Sequence, residues 1–191
     1  MNNTKTATKS KSNIYFLTTC AIMAAVICIV GPMSIPIGAV PVSLATFIIY
    51  LSVYLLGAKG ATVSVVVYLL LGIAGLPVFS GGQGGVAKLV GPTGGYLVGY
   101  IFLAFISGLF LKWSKNNVVI TAIGMVIATA ILYAFGTVWF VMQAHTTYAY
   151  AISVCVIPFV IFDLIKIVVA GVIGYPARAA LIKSDLVVTE K

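Results

Sequence analysis

VVITAIGMVIATAILYAFGTVWFVM, residues 118–142, is the stretch that sets the class of this fold. No charged residue and no proline interrupts it. About 20 apolar residues cross the hydrocarbon core of a bilayer as one helix. A barrel strand would alternate apolar and polar residues, which this run does not do. Only helices and closed barrels satisfy their own backbone in lipid, so the helix is the remaining choice.

The rest of the chain repeats that signal. Of 191 residues, 62% are hydrophobic and 7% charged, with a mean hydropathy of +1.19. Soluble chains carry about 25% charged residues, so this composition excludes a soluble domain. The prediction is an all-α integral membrane protein with six transmembrane helices, over residues 14–30, 44–56, 61–74, 96–111, 118–142 and 149–181. The helical domain spans 14–183, between a disordered basic tail at 1–13 and a second tail at 184–191. A basic tail ahead of an apolar run also describes a secretory leader, but no small-residue cleavage site follows it, so 14–30 is kept as a membrane helix. Two irregular stretches lie between helices. GPMSIPIGAVPVS (31–43) carries Pro32, Pro36 and Pro41, which forbid a regular helix; it is expected as a cap or re-entrant loop. GLPVFSGGQGGVAKLVGPTGG (75–95) is rich in glycine. Pro158 is expected to kink the last helix.

The net charge of +8 does not indicate nucleic acid, because the cations sit at the ends of apolar runs. With six spans, one side holds Lys5, Lys9, Lys11, Lys59, Lys112, Lys115, Arg178, Lys183 and Lys191, and the other holds Lys88. Positive loops stay inside, so both termini are predicted in the cytoplasm of a multi-pass protein of the cell membrane. Cys20, Cys28 and Cys155 lie within apolar runs and serve as small buried hydrophobes; their spacing supports neither a disulfide framework nor a metal site.

Asp163 and Lys166, in FDLIKIVVAG, are the opposite charges placed inside a span. A spacing of three puts them on one helix face. A charge at membrane depth costs about 2.5–3.5 kcal/mol on insertion scales, so it faces a partner or a cavity. They either neutralise each other to orient the helix, or offer an acceptor and a donor to a polar ligand. The glycines of 75–95 are the second candidate, since they let backbone approach a ligand, and the start of the following helix favours an anion such as a carboxylate. Candidate binding residues are Ser43, Phe79, Gly82, Gln83, Lys88, Gly91 and Tyr96 with Asp163 and Lys166; Thr93 assists, and Tyr50 and Tyr68 are possible walls for a flat ligand. No phosphate-binding nucleotide motif occurs, so any ATP is hydrolysed by another subunit. His145 is expected as a solvated loop residue. Ala21 and Ala25 form a small-x-x-x-small pair, suited to packing within the bundle or docking a partner.

GAVPVS (38–43), YLLLGIAGLPVFSGGQGG (68–85), LVGPTGGYLVGY (89–100) and Asp163-x-x-Lys166 resemble the BioY family, the biotin-binding membrane components of energy-coupling-factor (ECF) transporters. The resemblance covers nearly all spans in order. It implies a six-helix S-component fold, capture of biotin as transported ligand rather than cofactor, and a module of one transmembrane coupling protein with two ATPases. It also implies that Ala21 and Ala25 dock that coupling protein. Where family members often show Thr-x-Gln-Thr, this chain reads Ser43-Leu44-Ala45-Thr46, so the glutamine's role does not carry over. Asp163 is expected to accept from a ureido N–H and Lys166 to donate to the ureido carbonyl, with the carboxylate toward the glycine loop; the reverse pose places Lys166 on the carboxylate. The competing readings are a solitary proton-coupled transporter with Asp163 as carrier, and a structural subunit that binds nothing. An enzyme lacks a catalytic set in a chain with three acidic residues and one histidine.

Overall fold

The computed structural model describes residues 2–35, 41–115 and 117–184, with side chains from residue 14 onward. In chain order the elements are α1 (Asn2–Val30), β1 (Ser34–Ile35), β2 (Val42–Ser43), α2 (Ala45–Ile73), α3 (Val86–Val90), α4 (Gly94–Trp113), α5 (Val118–Ala144), α6 (Tyr148–Cys155) and α7 (Ile157–Lys183). Four helical stretches are long and apolar enough to cross a membrane: Ala45–Ile73, Gly94–Trp113, Val118–Ala144 and the joined Tyr148–Lys183, with Ile14–Val30 a shorter apolar helix.

α1 begins at Asn2, not at Ile14. No glycine or proline lies between Asn2 and Val30, so nothing stops the ladder, and the tail expected to be disordered is helical in its backbone. The tail expected at 184–191 lies outside the described residues from 185 on. The proline-rich stretch holds a small departure from an all-helical fold. β1 and β2 pair antiparallel, with Ser34 opposite Ser43 and Ile35 opposite Val42. The glycine-rich stretch, expected to be irregular throughout, contains α3.

α2 joins what the sequence divides into two helices. Its backbone leaves helical geometry at Gly57 (φ 70°, ψ −170°), a conformation that favours glycine. The chain doubles back there. Ser43 Oγ donates to the Gly31 carbonyl at 2.8 Å, just before α2 starts, and the Tyr68 hydroxyl near its end lies against the same Gly31. At the far end Ala58 fills the space above Gly108 of α4. The break interrupts backbone pairing, and Arg178 Nη1 donates to the Tyr54 carbonyl at 2.8 Å, where the first half of α2 ends.

α2 is the centre of the bundle, packed on α1, α4 and α7. Tyr50, Val53, Tyr54, Ala61, Val65 and Tyr68 are buried along it. Tyr54 lies in a groove that Gly174 opens in α7, where an added Cβ would stand 2.6 Å from the ring. Gly174→Ala is therefore expected to lose about 1–3 kcal/mol by overpacking, read as a lower unfolding temperature of the detergent-solubilised protein. The end of α6 follows from Pro158: helical geometry fails at Val156 (φ −121°, ψ −59°), and α7 restarts with proline in its first turn, where no donor is needed. Asn117 caps α5 by accepting from the Val119 and Ile120 amides. His145 closes α5 in the left-handed region and is exposed.

Candidate functional site

Asp163 lies two turns into α7 and faces the start of α2, so a carboxylate and an ammonium are both carried into the bundle. Asp163 is 4% exposed and Lys166 8%. Burial of that degree requires that every polar atom be satisfied. Lys166 Nζ donates to Asp163 Oδ1 at 2.9 Å, to Thr46 Oγ1 at 2.9 Å and to the Ser43 carbonyl at 2.7 Å. Thr46 Oγ1 in turn donates to Asp163 Oδ1 at 3.1 Å. The Tyr133 hydroxyl, from α5, donates to Asp163 Oδ2 at 2.6 Å. Asp163 is thus a carboxylate held by three donors from three helices.

This cluster forms one side of a cavity of about 630 Å³, its open mouth included. Leu97, Tyr100, Leu132 and Phe159 add apolar and aromatic wall. Ser80, Lys88 and Thr93 line it from the glycine-rich loop and the start of α4. Lys88 is half-buried, and that burial pushes its pKa below the ordinary lysine range. Ser80 Oγ is buried without a hydrogen-bond partner among the described residues.

Among the residues singled out from sequence, Ser43, Lys88, Tyr96, Asp163 and Lys166 meet in this cavity, and Thr93 joins them. Ser43 reaches the cluster through its carbonyl, because its hydroxyl bonds to Gly31 and to the Ala45 amide. Phe79, Gly82, Gln83 and Gly91 are not among the lining residues. Phe79 is wholly buried, edge-on to Tyr68 at 5.5 Å between ring centroids, over Gly72. Gly82 and Gln83 are exposed, and the Gln83 carbonyl accepts from the Phe79 amide at 2.8 Å. The Gly91 carbonyl accepts from Trp139 Nε1 at 3.0 Å, which ties the loop to α5. These four shape the loop, and its neighbours reach the cavity. Tyr50 and Tyr68 are buried in the core, with the Tyr50 hydroxyl on Thr129.

Sequence reading missed Thr46, Tyr133, Ser80 and the wall residues Leu132, Cys155 and Phe159. Hydroxyls in apolar helices carry no sign of which way they face. Only position gives a signal: Thr46 follows the proline-rich loop by one turn. On the outer side of α1, Ala21 and Ala25 are exposed while Cys20, Ala24 and Ile27 face the bundle. Among the described residues Ala21 and Ala25 are therefore not packed into the bundle core. Among the described residues no group of three histidine, cysteine, aspartate or glutamate side chains converges.

Comparison with known proteins places this geometry. The BioY family profile matches residues 2–183. The biotin transporter BioY of Thermotoga maritima is 45% identical over 153 residues, covering 80% of this chain and 89% of that protein. The biotin transporter BioY2 of Lactococcus lactis is 33% identical over 181 residues, 95% of each chain. A crystal structure of the S-component for biotin from an ECF-type ABC transporter superposes with a TM-score of 0.80, at 34% identity, over 94% of this chain and 95% of that one.

Proposed function

Because the chain belongs to the BioY family, a family of transporters rather than enzymes, we propose that it captures biotin outside the cell and delivers it across the cytoplasmic membrane as the S-component of an ECF transporter. One observation carries the choice of ligand. The cavity has a buried carboxylate cluster on one side, Lys88 and Ser80 on the glycine-loop side, and apolar wall besides. Biotin has the matching parts: a ureido ring with two N–H groups and a carbonyl, an apolar body, and a carboxylate tail. Asp163 accepts a ureido N–H, and the carboxylate lies toward Lys88, Ser80 and Thr93. Phe79, Gly82, Gln83 and Gly91 hold the loop that presents those groups.

Six membrane crossings follow if the two halves of α2 each count as one. The reversal at Gly57 supports that count. It also sets Lys59, Lys112 and Arg178 at the end opposite Lys88, which supports both termini lying in the cytoplasm. The energy would come from a coupling protein with two ATPases, docked at Ala21 and Ala25. The solitary proton-coupled reading has less support, since both oxygens of Asp163 are already held by Lys166, Thr46 and Tyr133. It predicts uptake into vesicles without ATPases, abolished by an uncoupler.

Calorimetric titration of the purified protein with biotin tests the ligand: saturable tight binding is expected, and its absence would remove biotin from the proposal. Lys88 adds a pH signature. Its ammonium stabilises the bound carboxylate and is lost as pH rises through a pKa depressed by burial. Affinity should therefore fall at a pH below the ordinary lysine pKa of about 10.4. Lys88→Met should bind more weakly at neutral pH and show a flatter profile. A profile equally steep in the variant would place the carboxylate elsewhere.

A further inference from the structure

We propose that Tyr133 is a ligand-contacting residue: its hydroxyl donates to the ligand's ring carbonyl while Asp163 Oδ2 accepts the adjacent ring N–H. The assignment rests on the biotin reading above and names the donor within it. It comes from counting hydrogens. An ammonium carries three, and all three of Lys166 are engaged, by Ser43, Thr46 and Asp163. For Lys166 to serve the ligand carbonyl, one of these buried acceptors would have to give up its ammonium donor. The single hydroxyl hydrogen of Thr46 goes to Asp163 Oδ1. That oxygen already takes two donors.

Oδ2 differs. Among the described residues it takes one donor, the Tyr133 hydroxyl at 2.6 Å, and Tyr133 lines the cavity from α5. A hydroxyl hydrogen rotates to suit its partners. When a ligand N–H reaches Oδ2, the carboxylate keeps its full set of donors without Tyr133, and the phenol hydrogen is released to turn toward the ligand. One hydrogen bond inside the protein is replaced by two to the ligand, and no buried group is left without a partner.

The pair therefore offers an acceptor and a donor side by side. A cis amide presents the complementary edge, with N–H and C=O adjacent and parallel. Cyclic ureas and lactams are locked in that form, whereas an open-chain amide is trans and splays the two groups to opposite sides. The site thus selects for a cyclic urea or lactam ring, with Tyr133 reading the carbonyl and Lys166 holding Asp163 in place.

The test compares biotin with 2-thiobiotin, whose ureido carbonyl oxygen is replaced by sulfur, a weaker acceptor, while both N–H groups remain. Affinities are measured for wild type and Tyr133→Phe, which keeps the ring and removes the hydroxyl. Loss of one buried hydrogen bond predicts roughly 10- to 100-fold weaker biotin binding. The preference of wild type for biotin over 2-thiobiotin should shrink at least several-fold in the variant. Equal weakening of both ligands would mean that Tyr133 only positions Asp163, and would overturn the assignment. So would unchanged biotin affinity. A wild type that binds neither ligand is a different pattern, and it removes the biotin reading along with this one.

Discussion

Asp163→Asn is expected to weaken biotin binding by about two to four orders of magnitude, equivalent to about 3–5 kcal/mol. The substitution keeps size and shape but removes the charge, so Lys166 is left 8% exposed with no anion beside it. Its remaining acceptors, Ser43 O and Thr46 Oγ1, are neutral. Asparagine also presents an N–H where Oδ1 or Oδ2 accepted, so either Tyr133, Thr46 or the ligand faces a donor with a donor. A lower unfolding temperature should accompany the loss. To separate binding from folding, Lys166→Met is added to Asp163→Asn. The double variant has no buried charge and should recover stability, because replacing a buried ion pair by apolar volume is often neutral or better. It should not recover affinity. Recovery of both, or a single variant with wild-type affinity, would mean that the pair only orients α7.

That pair was legible for a physical reason: an ion inside an apolar span is costly, so it announces a partner or a cavity. Its partners were not. Thr46 and Tyr133 lie in helices whose other hydroxyls, such as Ser52 and Thr129, bond to backbone carbonyls of their own helix. Nothing in residue type separates the two uses. Phe79 failed in the opposite direction. An aromatic beside a glycine run suggests a ligand wall, but Gly72, in the last turn of α2, leaves a space that the Phe79 ring fills. Glycine content alone does not say what approaches. The backbone breaks were better marked, because Gly57 and Pro158 act through local geometry. Gly57 permits a positive φ, and Pro158 removes a donor. α3 was hidden because VAKLV is only five residues long, too short for periodicity to show.

Ala21→Trp and Ala25→Trp are expected to abolish ATP-driven uptake, by more than about tenfold, while leaving biotin affinity within about twofold of wild type. Both residues lie on the exposed side of α1, and the side facing the bundle is filled by Cys20, Ala24 and Ile27. Ala21 and Ala25 are exposed among the described residues, so fold and cavity should be indifferent to a large side chain there. In lipid, helices gain little from hydrophobicity alone and associate where small residues let backbones approach closely. An alanine pair one turn apart offers such a strip, and an indole would hold a partner helix off by more than its packing tolerates. The two readouts must separate for the idea to stand. Co-purification with the coupling protein should fall along with uptake, and titration with biotin should not change. Loss of binding as well would place α1 in the ligand site's own support. Unchanged uptake would move the docking face elsewhere on the bundle. The contrast with Asp163→Asn then divides the molecule in two: α7 and the start of α2 hold the ligand, and the outer side of α1 meets the machinery that moves it.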